Sequence, residues 1–113
     1  MIAVIFEVEP NDADAYFDLA ADLRPLLDEI DGFISIERFQ SLTDERRVLS
    51  LSFWRDEDAV AAWRNLEPHR AAQAQGRAHI FRDYRLRIAA VMRDYGMNER
   101  DEAPTDSRGA HSS

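Results

Sequence analysis

Cysteine and lysine are both absent from this 113-residue sequence, and glycine is scarce. Without cysteine, the chain has no disulfide, no thiolate nucleophile and no thiolate ligand for a metal. The four glycines occur singly, so there is no glycine-rich phosphate loop and we expect no tightly bound dinucleotide. HxH and HExxH spacings are also missing, so we expect no dedicated metal site.

Long apolar runs are missing as well. No segment approaches the roughly 18–20 apolar residues that a membrane span needs, so no membrane partner is expected. The opening MIAVIFEVEP has no basic region before its short apolar block, which is unlike a signal peptide. We therefore expect a soluble, cytoplasmic chain whose length suits one domain with one core.

The charge is strongly one-sided. The net charge is −8, and all fourteen basic residues are arginine. A nucleic-acid-binding domain normally carries a basic stripe on a basic background, so no nucleic-acid partner is expected. Planar guanidinium groups suit anionic ligands, but they suit carboxylates of the acidic first half or of a neighbouring subunit equally well.

The first half of the chain predicts a strand, a helix and a sharp turn. Alternating β-branched residues predict a strand over 2–9. Asn11 or Asp12 is suited to cap a following helix, whose apolar residues recur at spacings of three and four. Pro25 falls inside that pattern and is expected to bend or split the helix. The helix ends before Gly32.

The second half predicts three strands and a broken helix. Pro68 suits the first turn of a helix, so the helical region is expected to break just before it. The last strand is unusually long, and the tail lacks apolar periodicity. The predicted elements are strands at 33–42 and 46–55, a helix capped by Asp56 and ending at Asn65, a helix from Pro68 to about Gly76, a strand over 79–95 and a disordered tail from 97.

This order is βαββαβ, which predicts an α+β, ferredoxin-like domain over residues 1–96, followed by the tail 97–113. Its four-stranded antiparallel sheet carries the helices on one face. Leu49, Leu51 and Phe53 lie on one side of the third strand and make it continuously apolar. We expect a second copy to cover the other sheet face, giving a homodimer through that face and the long last strand.

Three segments resemble the antibiotic biosynthesis monooxygenase (ABM) superfamily of dimeric α+β barrels. They are DGFISIERFQ, LSLSFWRDEDAVAAWRNLEPHRAAQAQGR and YRLRIAAVMRDYG, and the resemblance spans about residues 1–96. It implies a ferredoxin-like protomer, a dimer through the sheet faces and one pocket per protomer between the sheet and the helices.

The superfamily contains more than one activity. Some members are cofactor-free monooxygenases that oxidise electron-rich phenols with O₂. Haem-degrading members carry a tryptophan in the second helical region, a haem-ligating histidine about ten residues later and an asparagine on the first strand. Here Trp63 matches the tryptophan, but Gln73 takes the histidine position and the first strand has no asparagine. We therefore expect no cofactor by the known arrangement, and haem only if His69 or His79 replaces the missing ligand.

Trp63, His69 and Arg82 are the candidate catalytic residues, and the resemblance favours the first two. His69 lies in the first turn of a predicted helix, where the dipole favours a neutral imidazole that could take a phenolic proton. Arg82 could stabilise a phenolate or peroxide-like anion. Each also has a structural reading: Trp63 as a core residue, His69 as a surface cap and Arg82 in an ion pair.

Four further residues are candidates for a substrate pocket: Phe6, Trp54, Gln73 and Tyr84.

Three alternative functions are consistent with the sequence. The first is a cofactor-independent monooxygenase acting on an aromatic or polyketide-type phenol. The second is a haem-binding or haem-degrading protein, and the third is a non-catalytic dimer that binds a small aromatic or hydrophobic ligand.

Overall fold

The computed structural model describes residues 1–75 and 80–107, except for the side chains of residues 67, 73 and 75. The elements are β1 (Ile2–Pro10), α1 (Ala13–Leu27), β2 (Phe33–Gln40), β3 (Val48–Trp54), α2 (Glu57–Arg64), α3 (Glu67–Gln75) and β4 (Phe81–Ala90).

The strands form one antiparallel sheet in the order β2-β3-β1-β4. This arrangement confirms the predicted α+β, ferredoxin-like fold. Paired residues point to the same side of a sheet, so the registers define two faces. The helix face includes Phe6 paired with Ser50, and Ser50 with Arg38. The open face includes Ile5 paired with Leu51.

Aspartates begin the first two helices. The Asp12 side chain accepts a hydrogen bond from the Ala15 backbone N–H at 3.1 Å, and Asp56 accepts one from Ala59 at 2.9 Å. Such bonds satisfy amides that have no partner within a helix. Asp12, rather than Asn11, is therefore the cap of α1.

The predicted split of the first helix at Pro25 is wrong. Helix α1 continues through Pro25 to Leu27. Proline lacks one backbone donor, but here the loss falls in the last turn, where few hydrogen bonds remain to be broken. Leu27 is buried in a core cluster with Trp54 and Val60, and this packing stabilises the end of the helix.

Strand β4 is shorter than the sequence predicts. It ends at Ala90, whereas the pattern predicts a strand to residue 95. Its partner β1 begins at Ile2, and the final bond of the ladder runs from the Val91 N–H to the Met1 carbonyl at 3.0 Å. The strand ends because its partner ends. The predicted start at His79 lies outside the described residues.

Residues 97–107 contain hydrogen-bonded turns, while the disorder expected from residue 97 stays a prediction. The Gly96 N–H donates to the Glu99 carbonyl at 2.8 Å, and the Ala103 N–H donates to Arg100 at 3.1 Å. Ala103 is buried. The domain boundary at residue 96 stays a prediction, and residues 108–113, including His111, lie outside the described part.

In the described part of the chain, two clusters of buried side chains lie on the helix face. One contains Val8, Tyr16, Val48 and Ile80, and the other contains Leu27, Trp54, Ala59 and Val60. The first cluster packs α1 against β1 and β3, and the second packs α1 and α2 against β3. These contacts hold the helices over one side of the sheet. Within the described ranges, no helix has the length and apolar character to span a membrane.

Candidate active site

A cavity of about 590 Å³ lies between the helix face of the sheet and the three helices. Residues of both core clusters line it, so the same packing that stabilises the fold also shapes the cavity. The described residues around it include Val4, Phe6, Tyr16, Leu23, Ile36, Arg38, Ser50, Ser52, Trp54, Trp63, Arg64, His69, Arg70, Phe81, Tyr84, Leu86 and Ile88.

Aromatic rings form the wall at β1 and β4. The Phe6 ring packs edge-to-face against Phe81 and Tyr84, with centroids 5.5 Å apart in each case. Phe81 and Tyr84 are themselves 5.6 Å apart. Edge-to-face contacts of this kind fix ring orientation as well as bury surface. Tyr84, Leu86 and Ile88 on this side are 40–47% exposed, so the cavity is open along β4.

Trp54 forms the floor and belongs to the core at the same time. It is 2% exposed, and its indole Nε1–H donates to the Ser52 Oγ at 2.9 Å. Phe33 packs edge-to-face against it at 5.1 Å. The buried donor is thus satisfied, and Trp54 presents a rigid surface to the cavity.

Trp63 and His69 face each other across the break between α2 and α3. Their ring centroids are 4.6 Å apart with an interplanar angle of 57°. The Leu66 N–H donates to the Trp63 carbonyl, and the Arg70 N–H donates to the Leu66 carbonyl. These backbone bonds fix the tight connection that brings the two rings together.

His69 is half-buried, and its Nδ1 atom is shielded from solvent without a hydrogen-bond partner among the described residues. Burial lowers the pKa of the imidazole below its usual value because a charged ring is poorly solvated there. The imidazole is therefore neutral at pH 7, and a neutral imidazole has one nitrogen free to accept a proton.

The charged residues that line the described part of the cavity are all arginines: Arg38, Arg64 and Arg70. Arg70 donates to the Asn65 Oδ1 atom. The Arg38 Nε atom is shielded from solvent and has no acceptor among the described side chains and backbone groups. The cavity is therefore locally cationic, although the whole chain has a net charge of −8.

Arg82, the third candidate catalytic residue, is not among the described residues that line this cavity. The pairing of β4 with β1 shifts register between Glu9 and Pro10, where Glu9 pairs with Asp83 and Pro10 with Phe81. This bulge leaves Arg82 as the extra residue. Phe81 consequently takes the place beside Tyr84, and the Arg82 side chain is exposed.

Sequence reasoning missed Arg38 and Phe81. Arg38 lies two residues after Ile36, on the same face of β2, and pairs with Ser50. Ser50 shares a face of β3 with Trp54, so its polarity could have indicated a polar partner on the neighbouring strand. Phe81 had no such signal, because a bulge depends on how two distant segments align.

The haem alternative stays a prediction, because the Gln73 side chain and His79 lie outside the described residues. Strand β1 contains no asparagine, and Gln73 lies on α3 with its side chain outside the described part. His79, the other proposed ligand, also lies outside it. Among the described residues, no group of three potential metal ligands occurs.

The chain is similar to known proteins both in sequence and in structure. It is 45% identical over 101 residues to "Jasmonate monooxygenase ABM" of Pyricularia oryzae, covering 88% of this chain but only 47% of the fungal protein. The chain thus spans about half the length of that relative.

Solved structures show the same fold. Rv0793 of Mycobacterium tuberculosis aligns with a TM-score of 0.74 at 18% identity, covering 84% of this chain and 98% of the other. SnoaB of Streptomyces nogalater, described as a cofactor-independent oxygenase, aligns with a TM-score of 0.69 at 13% identity over 82% of this chain and 94% of SnoaB. The sequence model for the family "Antibiotic biosynthesis monooxygenase" matches residues 1–75, and the chain belongs to this family.

Proposed function

We propose that the chain is a cofactor-independent monooxygenase that oxidises a small, electron-rich phenol with O₂ inside the cavity. The observation that carries this proposal is the position of His69. A neutral imidazole with an unpartnered, buried nitrogen lies on the wall of an aromatic cavity, directly beside Trp63.

The chemistry assigned to His69 is removal of the phenolic proton. Proton transfer by a positioned base typically accelerates a reaction by about 10²–10⁴-fold. The resulting phenolate gives up electrons to O₂ more readily than the phenol. In the overall reaction, a phenol and O₂ give a quinone and water. One oxygen atom forms the new carbonyl, and the other leaves in water with the hydrogens lost from the hydroxyl and the ring carbon.

The remaining wall residues position the substrate. Trp63, Tyr84 and Phe6 offer ring faces and edges to a flat aromatic molecule. Trp54 supports the cavity from below. The arginines supply positive charge for the phenolate and for reduced oxygen species, in the role that Arg82 was expected to take.

The comparisons support this proposal at the level of reaction type. SnoaB is described as a cofactor-independent oxygenase, and the Pyricularia relative is named as a monooxygenase. The relative's name gives jasmonate as what it acts on, so jasmonate belongs in any substrate panel beside the phenols.

Oxygen uptake tests the proposal directly. The purified chain is mixed with dihydroxynaphthalenes, anthrone-type phenols and jasmonate in metal-free buffer, and oxygen consumption and product are measured. We expect His69→Gln to lower kcat by about 10²–10⁴-fold and Trp63→Phe to lower kcat/KM. Leu42→Ala, which changes a fully exposed side chain outside the cavity, is the control and should retain activity.

Two other results would replace the proposal. Saturable haemin binding with a Soret shift that depends on His69 or His79 would favour the haem alternative. Tight ligand binding without oxygen uptake would favour a non-catalytic binding module. A double variant Trp63→Phe/His69→Gln with an unchanged rate would remove these residues from the site.

We also propose that the chain is a homodimer in which a second copy covers the open face of the sheet. Apolar side chains of β1 and β3, including Ile5, Leu51 and Phe53, lie on that face, whereas the clusters that pack the described helices lie on the opposite face. An antiparallel sheet can leave one face in water when that face is polar. Here Glu37 and Arg87 flank the face on β2 and β4, but its centre on β1 and β3 is apolar.

A further inference from the structure

All the charged residues that line the described part of the cavity are positively charged. Arg38, Arg64 and Arg70 contribute to the walls, and none of the described lining residues is acidic. None of the three forms an ion pair with a carboxylate among the described residues, whereas other arginines of this acidic chain do, such as Arg55 with Asp31 at 3.2 Å.

The three arginines differ in their surroundings. Arg64 and Arg70 are exposed on the helices, where water can solvate them, and Arg70 already donates to Asn65. Arg38 is half-buried on β2, opposite the buried Ser50, and its Nε atom is shielded from solvent without an acceptor in the described part of the chain. A buried donor that lacks a partner is costly. Arg38 is therefore the guanidinium that a ligand would satisfy best.

We infer that the cavity binds an amphipathic monoanion, a carboxylate on an aromatic or other apolar body, and that Arg38 receives the carboxylate. The fork of a guanidinium matches the two oxygens of a carboxylate, and the aromatic walls accept the apolar body. This inference rests on the proposed function only in placing the substrate in the same cavity. It makes Arg38 a specificity-determining residue for substrates that carry an acid group.

A matched pair of ligands isolates the charge. 2-Naphthoate and 2-naphthamide have the same ring system and nearly the same shape, and only the first is anionic. Neither has a phenol, so their binding is measured by calorimetry without turnover. We expect the native chain to bind the acid at least about tenfold more tightly than the amide, because a guanidinium forms stronger hydrogen bonds with a carboxylate than with a neutral amide.

Variants assign the preference to one residue. Arg38→Gln should abolish the preference for 2-naphthoate and leave affinity for the amide nearly unchanged, while Arg38→Lys should retain part of the preference. Arg46→Gln removes the same charge from an exposed arginine that pairs with Asp44 outside the cavity, so it should keep the full preference. Thermal unfolding of each variant checks that it is folded.

Two results overturn the inference. One is equal binding of acid and amide by the native chain, and the other is a preference that survives in Arg38→Gln but disappears in Arg70→Gln. These outcomes are separate from those of the oxygen-uptake test. Absence of oxygen uptake with the acid preference intact would overturn the proposed oxidation alone.

Discussion

At the scale of single residues, the burial of His69 in the cavity wall makes the free energy of unfolding depend on pH. Burial holds the pKa of the folded imidazole below the 6.5 of an unperturbed histidine. The unfolded state therefore binds a proton more readily, and acid favours unfolding. The contribution of His69 to the free energy of unfolding is fully present above pH 6.5. It is lost as the pH falls from there through the lower, folded pKa.

Chemical denaturation of the native chain and of His69→Gln at pH 7.5 and 5.5 measures this coupling. We expect the native chain to lose more stability on acidification than the variant. The pKa values of Asp44 and Asp56 are also lowered, by hydrogen bonds from Arg46 and from the Ala59 amide respectively. Both aspartates are present in the native chain and in the variant. Their contributions to the pH dependence of stability therefore cancel when the two proteins are compared. Parallel pH dependences would mean that His69 is solvated in the folded state.

The same residue shows how far sequence reasoning extended toward the site. Trp63 and His69 are six residues apart, and Pro68 lies between them. Local signals therefore predict the helix break that lies between the two residues. Arg38 and Ser50 meet only through strand pairing. The structure thus brings Trp63, His69, Phe6, Trp54 and Tyr84 to one cavity, while their roles in catalysis stay predictions.

At the scale of elements, the turn from α1 to β2 depends on one glycine. Gly32 has a φ of 93°, a conformation that disfavours side chains. A Cβ atom at this position would lie 2.8 Å from the Ala59 Cβ and 3.3 Å from the Arg55 guanidinium. Gly32 therefore lets the turn approach helix α2 closely.

Substituting this glycine should destabilise the fold. We expect Gly32→Ala to lower the free energy of unfolding by at least about 1–3 kcal/mol, the usual cost of a strained backbone conformation. Gly96→Ala is the matched control, because a methyl group at that position would meet no atom within 4 Å, and it should change stability by less than about 0.5 kcal/mol. Urea unfolding compares the two, and equal losses would contradict the close approach.

Elements also show where prediction from sequence stops. Alternation and capping residues located β1, β3 and the starts of α1 and α2 to within about two residues, because these signals are local. The end of β4 depends on where β1 begins, and the bulge at Arg82 depends on the alignment of β4 with Pro10. The split predicted at Pro25 is wrong because the free-energy cost of a proline in a helix depends on how much helix follows it, and only two residues of α1 follow Pro25.

At the scale of the whole molecule, the open face of the sheet determines the expected assembly. Ile5, Leu51 and Phe53 form its apolar centre. Charged residues flank it on the two edge strands: Glu37 pairs with Leu51, and Arg87 pairs with Ile5. Arg87 also forms an ion pair with Glu7 at 3.2 Å. An apolar centre with a polar margin is the usual anatomy of a protein interface, and one sheet packed on another buries both centres.

Light scattering after size exclusion tests this assembly. At micromolar concentration we expect a mass about twice the 13.0 kDa of one chain, whereas a stable monomer would contradict the proposal. Because a two-fold interface carries every substitution twice, Leu51→Glu buries two carboxylates and should give monomers. Leu42→Glu adds the same charge to a fully exposed residue beyond β2, so it should remain dimeric. If both variants stayed dimeric, the copies would associate through a surface other than the open face.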